Sequence, residues 1–366
     1  MIRIKLKLHL TTDKNKQIWR SLLFLLLTLC PVAALADHLP PQSVMRLGAA
    51  EHGTGTFNTA VSLADVFHQE STRTRHSASH DHQFGVAMSS PGSIGNLRDL
   101  AAGRVEFGFV HANLANLALD APKKIGLDQS VNRLRLVATM APAVVQIVAR
   151  RKLGDGTIRS LQGKRVSFGM TDTGQSFTAT GLFTAHGMDA QSLNKFHFPL
   201  SLAVQKLKSR SLDAIVLIDQ SPSPLLRRLL QDPEYRLLSL DASALDQLIE
   251  AGKLGSMHLV EKNPYDSTDK EFLSVAVDTY LLSHDMVAPS SVLPILKYVK
   301  KQNQLLEMGL PSDAPAQTFR VKGIESLLPM HDACKTIDAE ELTSDVAGVS
   351  VQTDLSEPDF KASADH

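Results

Sequence analysis

The chain has 366 residues, with 38 basic and 38 acidic side chains, so its formal net charge at neutral pH is zero. This balance gives no support for nucleic-acid binding, which requires a basic surplus. The length is large for one hydrophobic core and favours two lobes.

The first 36 residues have the composition of a secretory signal peptide. Six basic residues precede the apolar run 22–29, which is too short to span a bilayer, and Ala34-Leu35-Ala36 forms a cleavage site. We therefore expect a periplasmic protein whose mature chain begins at Asp37. Removing the six basic residues and Asp13 leaves 32 basic against 37 acidic side chains, which is a mildly acidic balance.

The two cysteines do not point to a disulfide scaffold. Cys334 is the only cysteine after the signal peptide, so no intramolecular disulfide can form. Lipid anchoring at Cys30 is disfavoured, because Leu29 is larger than the residue that lipoprotein processing prefers. We expect a monomer that folds on its apolar core.

A repeated pattern of apolar strand, small polar loop and helix start organises the chain. Three copies have their loops at residues 51–56, 89–93 and 111–113, and two more have theirs at 171–176 and 219–224. Phe57, Val61, Ala64 and Phe67 mark the buried face of the first helix, and Gly103 ends the second, which is predicted from Asn96.

Two long β-rich runs are predicted to cross between the lobes. The first, 133–150, is interrupted by Ala141-Pro142, and the second covers 272–283. The sequence thus predicts a first lobe from 37 to 140, a second from 141 to 272, a return to the first from 273 to 347, and a disordered tail from 348 to 366. A helix is predicted at 290–308.

The repeated unit predicts an α/β fold of two lobes, each a mostly parallel sheet flanked by helices, joined by hinge strands. Ligands bind at the carboxyl ends of such strands, where helix starts offer unpaired N–H groups to an anion. Two sets of helix starts would then grip a small anion with no cofactor and no catalysis, as hinged receptors do. The candidate ligand contacts are Glu51, His52, Thr54, Gly55, Thr56, Phe57, Ser90, Gly92, Ser93, Asn96, His111, Thr173, Gly174, Gln175, Ser176 and Asp219.

Four segments carry a family resemblance. MRLGAAEHGTGTF, SSPGSIGNLRDLAAGRVEFGFVHANLA, LQGKRVSFGMTDTGQS and LDAIVLIDQSPSP resemble, in order and spacing, the TAXI solute-binding proteins of TRAP transporters. The similarity runs from about residue 45 to about residue 230. It implies a type II periplasmic-binding fold, no catalysis, a small organic anion such as glutamate or 2-oxoglutarate as ligand, and delivery to a TRAP-type membrane permease.

The sequence departs from the family pattern at the expected pocket. Phe57-Asn58 stands where the family commonly has a Tyr pair, and His111 stands where it commonly has Gln. Asp332-Ala333-Cys334 replaces the usual Pro-Gly-Ala after His331, and Glu51 with His52 adds charge beside the first loop. We expect a ligand that differs from the family's usual ones, with Glu51 and His111 setting the selectivity.

Other functions remain as alternatives. The same fold could report its ligand to a membrane signalling protein instead of a permease. Gly174-Gln175-Ser176-Phe177-Thr178 differs by one residue from a hydrolase nucleophile elbow, which would make Ser176 a nucleophile. His76, His80 and His82 are spaced like metal ligands, although a solvated loop explains them better. The Gly53–Asn58 and Gly163-Lys164 segments match neither nucleotide-binding fingerprint.

Overall fold

The computed structural model describes residues 43–73, 83–127, 131–188, 192–250, 257–265, 272–307 and 328–335. The predicted signal peptide, the three histidines at 76, 80 and 82, and the predicted tail lie outside these ranges. The strands are β1 (Ser43–Gly48), β2 (Gln83–Met88), β3 (Phe107–His111), β4 (Leu134–Arg150), β5 (Arg165–Ser167), β6 (Asn194–Phe196), β7 (Ala214–Gln220), β8 (Tyr235–Leu237), β9 (Met257–Val260) and β10 (Ser274–His284). The α-helices are α1 (Gly55–Arg73), α2 (Ser93–Ala101), α3 (Ala112–Asp120), α4 (Gly174–Ala185), α5 (Leu200–Lys208), α6 (Pro224–Leu230), α7 (Ala242–Glu250) and α8 (Pro289–Glu307).

The strands form one mixed sheet in the order β2-β1-β3-β10-β4-β7-β5-β6, with β8 paired to β4 and β9 to β10. Strands β2, β1 and β3 are parallel and form what we call the first half-sheet. Strands β7, β5 and β6 are also parallel and form the second half-sheet. This arrangement confirms the α/β fold predicted from the repeated unit.

The two long strands β4 and β10 connect the half-sheets. The first part of β4 pairs with β10, and the part from Ala143 onwards pairs with β7, both antiparallel. The β4–β10 ladder changes register between Val277 and Thr279, opposite the segment that contains Pro142. Proline has no N–H to donate and is tolerated where the ladder is irregular. The interruption predicted at Ala141-Pro142 is therefore a local irregularity in the pairing of β4, which is one continuous strand.

The helices pack on the sheet through narrow apolar stripes. Helix α1 buries Ala60, Leu63 and Phe67, but Val61, predicted on that face, is 40% exposed. The predicted residues Ala64 and Phe67 do lie on the buried face. Gly85 of β2 lies so close to α1 that a Cβ there would be 2.2 Å from the Ala64 carbonyl oxygen. Only a glycine permits this close approach of helix and strand.

Several helix starts lie earlier than the sequence indicates. Helix α2 begins at Ser93 instead of Asn96, so Gly92, at φ 83°, is its N-cap. His111 is the last residue of β3, and α3 follows at once without the predicted loop. Asp219 likewise belongs to the end of β7. Strands that run directly into helices bring their last side chains to the cleft between the half-sheets.

Within the described ranges, no helix is both long and apolar enough to cross a bilayer.

Candidate functional site

A small cavity of about 50 Å³, lined by both polar and apolar residues, lies where the carboxyl ends of the two half-sheets meet. Its walls come from the ends of β3 and β7, from the segment after β1, and from the starts of several helices. Nine of the sixteen predicted contact residues line it: Glu51, Thr54, Thr56, Gly92, Ser93, His111, Thr173, Gln175 and Asp219.

The starts of α2 and α4 lie against each other beside this cavity. A Cβ built on Gly174 would be 3.0 Å from Cβ of Ser93 and 2.4 Å from Cδ1 of Leu114. Helix α2 extends from the first half-sheet and α4 from the second, so the two predicted gripping turns share one cleft. Gly174 is small enough to allow this contact, and any larger residue would hold the halves apart.

The start of α1 is bound by a carboxylate of the protein itself. Asp219 Oδ2 accepts a hydrogen bond from the Gly55 amide at 2.6 Å, and Oδ1 accepts from the amide and the hydroxyl of Thr56 at 3.1 and 2.8 Å. Burial raises the pKa of the Asp219 carboxyl, and these donors oppose the rise. The Gly55 and Thr56 amides, predicted to hold the ligand, are thus engaged by the opposite half-sheet.

A second carboxylate crosses the cleft in the reverse direction. Glu51 follows β1, and its Oε2 accepts a hydrogen bond from the Leu200 amide, at the start of α5, at 2.7 Å. Burial raises the pKa of the Glu51 carboxyl, and the Leu200 amide partly opposes this. Each half therefore places a carboxylate on a helix start of the other half, where the helix dipole favours negative charge. We call these two contacts the reciprocal caps.

The start of α2 is different, because no side chain caps it. The Ser93 hydroxyl oxygen instead accepts a hydrogen bond from the His111 amide at 3.0 Å. Gly92 and Ser93, at the start of α2, line the cavity. An uncapped helix start of this kind is a favourable site for an anion.

His111 and Thr279 bring unpartnered polar atoms to the same cavity. His111 is 9% exposed and its Nδ1 has no hydrogen-bond partner, and Thr279 is fully buried with an unpartnered hydroxyl. Burial lowers the pKa of His111 to about 4, which keeps the imidazole neutral at physiological pH. Buried polar atoms without partners are uncommon in folded proteins and are satisfied by a ligand where one binds.

The depressed pKa of His111 predicts acid sensitivity. Between pH 6.5 and 4 the unfolded chain binds a proton that the folded chain does not, so the free energy of unfolding falls as the pH is lowered through this window. Between pH 7 and 4.5, we expect the free energy of unfolding of wild type to fall by about 2–3 kcal/mol more than that of His111→Gln. Urea unfolding at the two pH values measures the difference. The exposed residue His52 provides the control: His52→Gln should follow wild type. Equal acid sensitivity of wild type and His111→Gln would contradict a neutral buried imidazole.

Several predicted contacts hold the scaffold together. Gln175 donates to the Val216 carbonyl at 3.1 Å and accepts from the Ile218 amide at 3.2 Å, which fastens α4 to β7. Asn96 donates to the Ala49 and Phe109 carbonyls, both at 2.7 Å. The Ser90 hydroxyl caps the Gly92 amide at 3.0 Å. Asn96 and Ser90 do not line the cavity, and the Asn96 amide nitrogen and the Ser90 hydroxyl bind the backbone around it.

The remaining predicted contacts lie at the edge of the site. His52 is exposed and packs against Phe57, with 4.8 Å between ring centroids and the rings tilted by 46°. Thr173 is the N-cap of α4 and accepts from the Ser176 amide at 3.1 Å. Among the described residues, no histidine is hydrogen-bonded to the Ser176 hydroxyl, so the nucleophile–base pair of a serine hydrolase is not assembled there.

The acidic side chains of the cavity wall are not balanced by basic ones. Glu51 and Asp219 contribute carboxyl groups, whereas no Lys or Arg is among the described residues of the lining. No group of three or more His, Cys, Asp or Glu in the described ranges could hold a metal ion. The site can therefore bind through amides, hydroxyls and a neutral imidazole.

Sequence reasoning missed Thr279 and Leu200. Thr279 is a polar residue inside the apolar strand β10, and this interruption was the available signal. Leu200 contributes its backbone amide at a helix start that follows Pro199, so its side chain carried no signal.

The fold and site define an α/β protein whose two half-sheets close over a polar cleft. The chain belongs to the NMT1-like family, whose model matches residues 47–335.

The chain is also similar to solved structures of ligand-binding proteins. The alkanesulfonate-binding protein SsuA from Xanthomonas axonopodis pv. citri, bound to MOPS, is 16% identical, with 74% of this chain and 76% of that chain covered and a TM-score of 0.43. The periplasmic aliphatic sulphonate-binding protein SsuA from Escherichia coli is 15% identical (77% and 87% covered, TM-score 0.44). The BenM effector-binding domain with benzoate is 11% identical (75% and 96% covered, TM-score 0.44). All three are named as binding proteins or binding domains.

Proposed function

We propose that this protein is an extracytoplasmic solute receptor that binds a small organic anion between its two halves and does not transform it. The observation that carries the proposal is the cavity between the half-sheets, which is lined by an uncapped helix start and by two residues with unpartnered polar atoms. Helix-start amides and hydroxyls suit carboxylate oxygens. The NMT1-like family membership and the resemblance to TAXI proteins support the same function.

The receptor's partner is proposed from the resemblance. We infer a TAXI-type protein that delivers its ligand to a TRAP-type membrane permease from the periplasm. The predicted signal peptide at 1–36 supports export. The hinges are proposed at the long strands β4 and β10, because they are the central strands shared by both half-sheets.

The test is a thermal-shift screen of carboxylates, sulfonates and amino acids on wild type and Ser93→Trp. A specific ligand raises the melting temperature of wild type by mass action. Ser93 is buried in the cavity wall against Gly174, so tryptophan fills the cleft and should abolish the ligand-induced shift.

The exposed residue Val61 provides the control, because Val61→Trp adds the same side chain away from the cleft. Circular dichroism reports whether both variants fold. An unchanged ligand shift in folded Ser93→Trp would overturn the placement of the site.

A further inference from the structure

We propose that the cleft selects a compact monocarboxylate and rejects dicarboxylates. The inference rests on the proposed function and narrows its ligand class. It assigns one anion subsite to the start of α2, together with His111 and Thr279, and it assigns none to the starts of α1 and α5.

The single anion subsite is built from groups that have no partner within the described protein. Helix α2 has no side-chain cap, and His111 Nδ1 and the Thr279 hydroxyl are buried without hydrogen-bond partners. The residues Gly92, Ser93, His111 and Thr279 line the same cavity. A neutral imidazole can donate from Nδ1, a hydroxyl can donate, and the helix start supplies amide N–H groups. These are the donors that one carboxylate needs, and they avoid the cost of burying a cationic side chain.

A second ligand carboxylate has no comparable place. The start of α4, which also borders the cavity, is capped by the Thr173 hydroxyl. The starts of α1 and α5 already hold Asp219 and Glu51 through the reciprocal caps, with N···O distances of 2.6 and 2.7 Å. Their carboxyl groups are negative when ionised and repel a further anion in a poorly solvated site. No Lys or Arg in the described lining could offset that repulsion.

The size of the cavity also favours a compact monocarboxylate. Its volume of about 50 Å³ is a few times the volume of about 10–15 Å³ that one water needs on the same kind of measure. A ligand of a few heavy atoms, such as propionate or lactate, therefore fits with the caps in place. A five-carbon dicarboxylate needs more room than this volume offers.

The experiment compares matched ligands by calorimetry on the full mature chain. Acetate, propionate, lactate and pyruvate form one series, and succinate, 2-oxoglutarate and glutamate form the other. We expect the best monocarboxylate to bind at least about 10-fold more tightly than any dicarboxylate, since one unfavourable charge contact is worth about that factor.

Two variants test the assignment of the subsite. Thr279→Val removes the buried hydroxyl and should weaken propionate binding about 10-fold, and His111→Gln should weaken it at least as much. Thr139→Val is the matched control, because Thr139 is also buried with an unpartnered hydroxyl but does not line the cavity. Glu51→Gln removes one carboxylate that repels a second anion. It should strengthen succinate binding and so reduce the preference for monocarboxylates over dicarboxylates.

The outcomes separate this inference from the function on which it rests. A dicarboxylate that binds as tightly as the best monocarboxylate, and whose binding Ser93→Trp abolishes, overturns the inference and leaves the receptor function in place. Equal losses of propionate affinity in Thr279→Val and Thr139→Val also overturn the inference. Failure of folded wild type to bind any compound of the wider screen overturns the receptor function as well.

Discussion

Asp213→Ala is expected to lower the free energy of unfolding by about 3–5 kcal/mol, because it leaves a buried arginine without its counter-charge. The Asp213 carboxylate lies just before β7 and binds the Arg150 guanidinium through Oδ1. Oδ2 accepts from the amide and Nε of Arg165 at 2.9 and 3.0 Å. The side chains of Arg150 and Asp213 are only 11% and 8% exposed. The loss is measured by urea unfolding at neutral pH.

The exposed pair Arg104–Asp99 provides the matched control. The Arg104 side chain is 61% exposed, so Asp99→Ala should change stability by less than about 1 kcal/mol. Equal losses in the free energy of unfolding for Asp213→Ala and Asp99→Ala would contradict the claim that burial makes the Asp213 ion pair costly to break.

The same pair predicts a dependence on pH. Burial alone raises the pKa of the Asp213 carboxyl, but hydrogen bonds from Arg165 and Arg150 outweigh it and hold the pKa well below its usual range. The contribution of Asp213 to stability is therefore fully present above about pH 4 and is lost as the pH falls through the lowered pKa. The stability difference between wild type and Asp213→Ala should shrink at acidic pH.

Asp219→Ala is expected to weaken ligand binding about 100-fold by releasing the start of α1 from β7. The carboxylate bridges the halves through three hydrogen bonds, and bonds to a charged group contribute about 1.5–3 kcal/mol each before desolvation is counted. A net loss of about 3 kcal/mol from the closed arrangement corresponds to that factor. The measurements are calorimetry with the best ligand of the screen and the radius of gyration of the ligand-free protein by X-ray scattering.

Thr56→Val tests the contribution of closure to ligand affinity while the Asp219 carboxylate stays in place. It removes one of the three hydrogen bonds and keeps the Asp219 carboxylate, so we expect about a tenfold loss of affinity. Scattering of ligand-free Asp219→Ala should indicate a more extended molecule than wild type. Identical scattering and affinity in Asp219→Ala would contradict a role of the carboxylate in closure.

The sequence determined the alternation of strands and helices, because apolar runs, small polar loops and glycine stops are local signals. It located the strands that end at the cleft, and it placed Ser93, His111 and Asp219 at those ends. Boundaries were less well determined. His111 and Asp219 were assigned to loops, since a polar residue at the buried end of a strand resembles the first residue of a turn.

Only the tertiary structure decided what those residues do. The sequence treated Gly55, Thr56 and Asp219 as parallel contacts to one ligand, whereas the folded chain joins them to each other across 163 residues or more. Gln175 and Asn96 likewise serve the scaffold. Residue type and spacing specify which groups can donate or accept, but the pairing of donors with acceptors depends on long-range packing. That packing leaves His111 Nδ1 and the Thr279 hydroxyl without hydrogen-bond partners, in residues that line the same cavity as the start of α2.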